Sequence, residues 1–305
     1  MKLGFRRMAV LVGTLALVAA GCGEDAPADG GDGAPAGGGV CATYDTSAGD
    51  LLAQICERGE IVVSTDPAYP PASELNPQTG EYEGFDIDVA TEIANRLGVD
   101  IAWETPDWEV LTAGNWNERW DMSVGSMTPT NDRQEVLHFT QPYAYVPAVT
   151  VVHEDNTTIT DPATDLDGKR IGMCADCTYQ FFVEKRLEIS GFEFDFVVDD
   201  ATVAGYDTDS TALQDLALGD GTRVDAVLTA SYIAQGFVDE GHPVKIVGDP
   251  LYGEPLAIAF DKASDLDPTS LVETVDGIVA DMHADGTLSG FSETWYPGSD
   301  VTKVS

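Results

Sequence analysis

Arg133 closes a Ser/Thr-rich stretch, Gly125-Ser126-Met127-Thr128-Pro129-Thr130-Asn131-Asp132-Arg133, that follows a short apolar run. A planar guanidinium can grip a carboxylate through two parallel hydrogen bonds, and Ser126 and Thr128 can add hydroxyl or backbone donors. The alternative for Arg133 is a surface salt bridge in a chain rich in acids. Cys174 and Cys177 enclose two residues between a strand pattern and a helix pattern, a setting that can lower a thiol pKa for exchange chemistry. Asp209 and Glu254 could act as general acid or base, provided a cleft holds them with raised pKa. His138, His153, His242 and His283 are scattered, and the sequence offers no Ser/His/Asp constellation, phosphate loop or metal cluster.

These residues need elements to position them. Residues 61–64 read as a buried strand. Residues 86–97 read as a helix, with Val89, Ile93 and Leu97 at four-residue spacing and Gly98 as its stop. A strand at 99–103, a short helix at 108–116 and a strand at 122–125 continue the alternation. A second set runs strand 169–173, helix 179–189, strand 194–198, helix 210–218, strand 224–228, helix 231–238 and strand 244–247. A strand at 256–260 and a helix at 271–282 close the chain. This order predicts an α/β architecture with mainly parallel sheets. Joins near 146–151 and 248–254 predict two lobes linked by two crossovers.

Compartment and charge narrow the possible functions. Lys2, Arg6 and Arg7 precede an apolar run at residues 8–20, which reads as a secretory signal, too short for a spanning helix. Its end, Leu17-Val18-Ala19-Ala20-Gly21-Cys22, resembles a bacterial lipobox, which makes Cys22 the expected lipidation site. Gly, Ala, Pro and Asp dominate residues 23–39, so 22–40 is expected to be a disordered tether after the 1–21 signal peptide. A formal net charge of −38 excludes nucleic acid as a partner, because no basic run could neutralise phosphates. The acidic surface fits either a saline habitat or the ordinary bias of an exported protein. An exported chain makes disulfides the default for Cys41, Cys56, Cys174 and Cys177. Proximity favours Cys41–Cys56 and Cys174–Cys177 among three possible pairings; a zinc site lacks ligand spacing in the first pair.

Five ordered stretches carry a resemblance. They are Ser64-Thr65-Asp66-Pro67-Ala68-Tyr69-Pro70-Pro71, Gly84-Phe85-Asp86-Ile87-Asp88-Val89-Ala90, and the Gly125–Arg133 stretch with Phe139-Thr140-Gln141-Pro142-Tyr143. Arg223-Val224-Asp225-Ala226-Val227 and Ala284-Asp285-Gly286-Thr287-Leu288 complete the set. From about residue 59 to 295 the chain resembles the family 3 extracellular solute-binding proteins, the amino-acid receptors of bacterial ABC importers. The resemblance implies a type II periplasmic-binding-protein clamp, with lobe 1 at 41–150 and 249–305 and lobe 2 at 151–248. It implies a monomer that closes on a small carboxylate-bearing solute and delivers it to ABC permease subunits, with no cofactor. Its place would be extracytoplasmic, lipid-anchored to the outer face of the cell membrane.

By the same resemblance Arg133 holds the α-carboxylate, with Ser126, Met127 and Thr128 beside it, while Tyr69 and Trp108 cover the ligand's apolar body. Asp66 matches a position that meets a ligand side chain, or caps its own turn. Two departures stand out. Where the family usually has an aspartate for the ligand ammonium, this chain has Ala230; Asp209 is the candidate substitute, unless it merely N-caps the following helix. Where the family has a small Gly/Thr loop, this chain has Cys174-Ala175-Asp176-Cys177-Thr178, leaving Cys177 and Thr178 as contacts through their amides. Two rivals remain: an elimination or dehydratase enzyme on the same clamp, and a thiol–disulfide oxidoreductase using the Cys pair. The Ala175-Asp176 interior is unlike a thioredoxin motif.

Overall fold

The computed structural model describes residues 38–303. The expected signal, most of the tether and Cys22 lie outside the described residues. Within them the chain builds two five-stranded sheets and a small three-stranded one.

The first sheet runs Asp100–Glu104, Glu60–Ser64, Met122–Ser123, Ala259–Asp261, Leu137–Phe139 from edge to edge. Its first three strands are parallel, and Ala259–Asp261 enters antiparallel. Helix Phe85–Leu97 covers it because Phe85, Val89, Ala90, Ile93, Ala94 and Leu97 form one buried stripe. Gly98 ends that helix in the left-handed region at φ 82°. Gly84, just before it, cannot carry a side chain: a Cβ would stand 2.3 Å from the Ala72 carbonyl oxygen.

The second sheet runs Thr202–Tyr206, Arg170–Cys174, Ala226–Ala230, Ala144–His153, Val244–Leu256. Its first three strands are parallel, and its last two are long antiparallel partners. Those two are where the crossovers were expected. Their ladder pairs Val247 with Thr150 and then Tyr252 with Ala148, so residues 248–251 bulge out between the two halves of the ribbon.

The sheets are mixed, not mainly parallel as the alternation predicted, because the crossover strands and Ala259–Asp261 enter antiparallel, and three further expectations fail locally. Residues 194–198 form no strand; Phe194 packs on Tyr252 and Phe196 on Phe194 and Phe182, and Thr202–Tyr206 takes the ladder beside Arg170–Cys174. The Phe-x-Phe alternation reports side-chain burial, not backbone pairing. Helix Thr178–Val183 stops well before residue 189, because Lys185 turns left-handed at φ 58° and sends Glu188 to accept a bond from the Asn131 N–H. The 256–260 strand divides between the end of Val244–Leu256 and Ala259–Asp261. Cys41 is bonded to Cys56 and Cys174 to Cys177, the pairing that proximity favoured.

Candidate functional site

Strand ends of both sheets face one cleft, the arrangement expected where ligands bind beyond carboxyl ends in open α/β sheets. Asp66 and Tyr69 follow Glu60–Ser64, and Gly125, Ser126 and Thr128 follow Met122–Ser123. Trp108 and Arg133 come from the short helices Trp108–Thr112 and Asn131–Val136. From the second sheet come Cys174, Cys177, Thr178 and Tyr179, then Asp207, Thr208 and Asp209, and Glu254 from the long crossing strand.

Arg133 is only 5% exposed. Instead of a surface ion pair, its Nη1 donates to the Thr128 carbonyl at 3.0 Å and its Nη2 to the Asp176 carbonyl at 3.0 Å. The guanidinium carbon lies 4.9 Å from the centre of the Trp108 ring, within range of a cation–π contact. Burial lowers its pKa to about 10, with Glu254 pulling it back up, so it stays charged at neutral pH.

Asp209 lies in the cleft at 1% exposure and is not the helix cap. Thr208 is the cap, its Oγ1 accepting from the Thr211 N–H at 3.1 Å. That leaves Asp209 to receive the Cys174 N–H at 3.3 Å and the Tyr69 hydroxyl at 3.2 Å. Burial raises its pKa to about 7, against the pull of the Thr229 hydroxyl, the Cys174 N–H and the Tyr69 hydroxyl. Glu254, 3% exposed, accepts from Thr128 Oγ1 at 2.8 Å, and burial raises its pKa too. Asp66 lines the cleft and accepts the Ala68 N–H at 2.8 Å in its own turn.

Two expected contacts are placed differently. The Met127 side chain is fully buried with Leu111, Trp116 and Trp120, so it belongs to the core and does not line the cleft. Ser126 lines the cleft, but its hydroxyl donates to Asp86 at 2.8 Å and lies 3.1 Å from the Tyr232 hydroxyl. Ala230 is buried and caps helix Ser231–Asp239 without any side-chain bond. Among the lining residues, Tyr179, Asp207, Thr208 and Gly125 carried no sequence signal as ligand contacts. Glu254 was visible only as a carboxylate; its place on the crossover strand brings it to the cleft. Among the described residues no group of three His, Cys, Asp or Glu side chains could hold a metal ion.

Residues 61–298 match the family described as bacterial extracellular solute-binding proteins, family 3. The chain belongs to that family. It is therefore a solute-binding protein with a two-lobed α/β fold. It is 28% identical over 254 residues to the L-cystine-binding protein TcyJ of Escherichia coli strain K12, covering 83% of this chain and 88% of that relative. It is 30% identical over 259 residues to the L-cystine-binding protein TcyA of Bacillus subtilis strain 168, covering 84% and 87%. Among solved structures, an ancestral arginine-binding protein bound to arginine matches with TM-score 0.66 and 31% identity, over 78% of this chain and 99% of that one.

Proposed function

We propose that this solute-binding protein captures a small α-amino acid, with Arg133 on the carboxylate and Asp209 on the ammonium in place of the acid missing at position 230. The observation that carries the reading is a buried guanidinium and a buried carboxyl in one cleft between two sheets. An unpartnered buried ammonium costs several kcal/mol, so such a ligand needs a carboxylate beside it, and Asp209 is the one we assign. Thr128 completes the carboxylate end, closure brings the amides at Cys177 and Thr178 onto the other end, and Tyr69 and Trp108 cover the body. Ligand favours the closed lobes by differential affinity, and ABC permease subunits read that shape. The protein works as a monomer outside the cytoplasm, held to the membrane by lipid on Cys22, where about 0.8 kcal/mol per buried methylene accumulates. It releases its ligand unchanged, and the binding-protein names of its relatives support this over an elimination enzyme.

A thermal-shift panel of L-amino acids, L-cystine, ectoine-like solutes and simple carboxylates tests the reading. A ligand at a hundred times its dissociation constant adds about 2.7 kcal/mol, and it should be recovered intact. Arg133→Ala should keep the fold yet lose about 3–5 kcal/mol of affinity for that ligand, as when one partner of a buried pair is removed. An unchanged calorimetric titration, or turnover of the ligand, would overturn the proposal.

A further inference from the structure

The loop Cys174-Ala175-Asp176-Cys177 does more than line the cleft. A disulfide closes it at both ends. Between the two sulfurs, Asp176 holds a left-handed backbone at φ 56°, a conformation uncommon outside glycine that aspartate tolerates better than most residues. Its carbonyl receives two donors from the opposite lobe: Arg133 Nη2 at 3.0 Å and Trp108 Nε1 at 3.4 Å. Its own N–H donates to Gln180 Oε1 at 2.9 Å, and the Ala175 N–H donates to the Tyr206 carbonyl at 2.8 Å. The Cys174 N–H meets Asp209. One stapled turn thus touches both charged groups of the site and bridges the two lobes.

We propose that the Cys174–Cys177 disulfide is a redox site that latches the cleft: oxidised, it aims the Asp176 carbonyl at Arg133 and Trp108; reduced, it lets that carbonyl swing away and the lobes part. The reductant is a dithiol. Its thiolate attacks one loop sulfur, the S–S bond breaks, and a mixed disulfide forms. The second thiol of the reductant then displaces the loop sulfur. Two electrons and two protons pass to the loop, leaving Cys174 and Cys177 as thiols and the reductant as its own disulfide. The freed turn can relax Asp176 to a negative φ. The closed form then loses two bonds between lobes, one of them from a charged donor. The contacts stand by themselves; the consequence for cargo rests on the solute-capture reading.

The test compares the full chain with the Cys174→Ser/Cys177→Ser variant in non-reducing buffer, so that no reductant touches the probe or the Cys41–Cys56 bond. Small-angle scattering reads closure without ligand, and calorimetry reads binding of two probes, L-cystine and L-arginine. The variant should scatter as a more open particle and bind whichever probe the native chain binds about tenfold or more weakly, as expected for losing a charged hydrogen bond. Identical scattering together with affinities within about twofold would overturn the latch, since such a difference is too small to represent that bond. If the native chain binds neither probe, scattering alone decides the latch, and the capture reading is judged by the wider panel. If the variant does not fold, the native chain and the Cys41→Ser/Cys56→Ser variant are compared before and after dithiothreitol. A matched opening in both supports the latch, and opening in neither, or only where Cys41–Cys56 is present, rejects it.

Discussion

At the scale of single residues, burial controls the chemistry of the cleft. Arg133 loses solvation but remains cationic, because even a pKa near 10 lies well above neutral pH. Asp209 is poised: its pKa of about 7 stands above the ordinary carboxylate value. A carboxyl raised in this way adds stability that is complete below its unfolded pKa and is lost as pH rises toward the folded value. An ammonium ligand requires the ionised form, so binding at about pH 6 should expel a proton, and affinity should climb as pH rises through 7. Calorimetry in two buffers of different ionisation enthalpy measures that proton. The native chain should release a large fraction of one, and Asp209→Asn should release little and lose affinity only for ligands carrying an ammonium. Equal loss for neutral acids would assign Asp209 a purely structural part.

At the scale of elements, the two long strands Ala144–His153 and Val244–Leu256 explain why residues far apart in sequence share one site. Glu254 pairs with Val146 within this ribbon, so a carboxylate from a crossover comes to lie beside Thr128. The N-terminal segment is tied differently. Helix Leu51–Arg58 buries Leu51, Leu52, Ala53 and Ile55, and Cys56 near its end is bonded to Cys41. A bridge spanning 15 residues stabilises by about 3 kcal/mol in the chain-entropy account. Replacing both cysteines by serine should therefore lower the melting temperature by roughly 6–12 °C, read by circular dichroism. A change of a degree or less would mean that helix packing alone holds the segment.

At the scale of the whole molecule, acidity and hinge set the behaviour. With 53 acidic against 15 basic residues, self-repulsion opposes compactness over distances that salt can screen. Raising sodium chloride from about 0.05 M to about 0.5 M shortens the screening length roughly threefold. The melting temperature should rise across that range, and a flat or falling curve would show that the charge is already locally compensated. Contacts across the cleft pull in the other direction. The Asn131 N–H donates to the Glu188 carbonyl at 2.9 Å, and the Tyr69 hydroxyl meets Asp209, so the two halves are bridged at several points.

Most helices and the strands around Glu60–Ser64, Asp100–Glu104, Arg170–Cys174 and Ala226–Ala230, the arginine after the Ser/Thr stretch and the paired cysteines could be read from local pattern, because periodicity and capping act within a few residues; the long strand Ala144–His153 was expected only as a join. Which strand fills a sheet edge could not: the 194–198 alternation and the Thr202–Tyr206 strand compete for one ladder, and only packing against Arg170–Cys174 and Tyr252 separates them. The same holds at the cleft. Thr208 rather than Asp209 caps its helix, Met127 turns into the core, and Glu254 arrives from a crossover. Each outcome depends on which neighbours remove water from a side chain. That is a property of residues distant in sequence, so it exists only once the chain has folded.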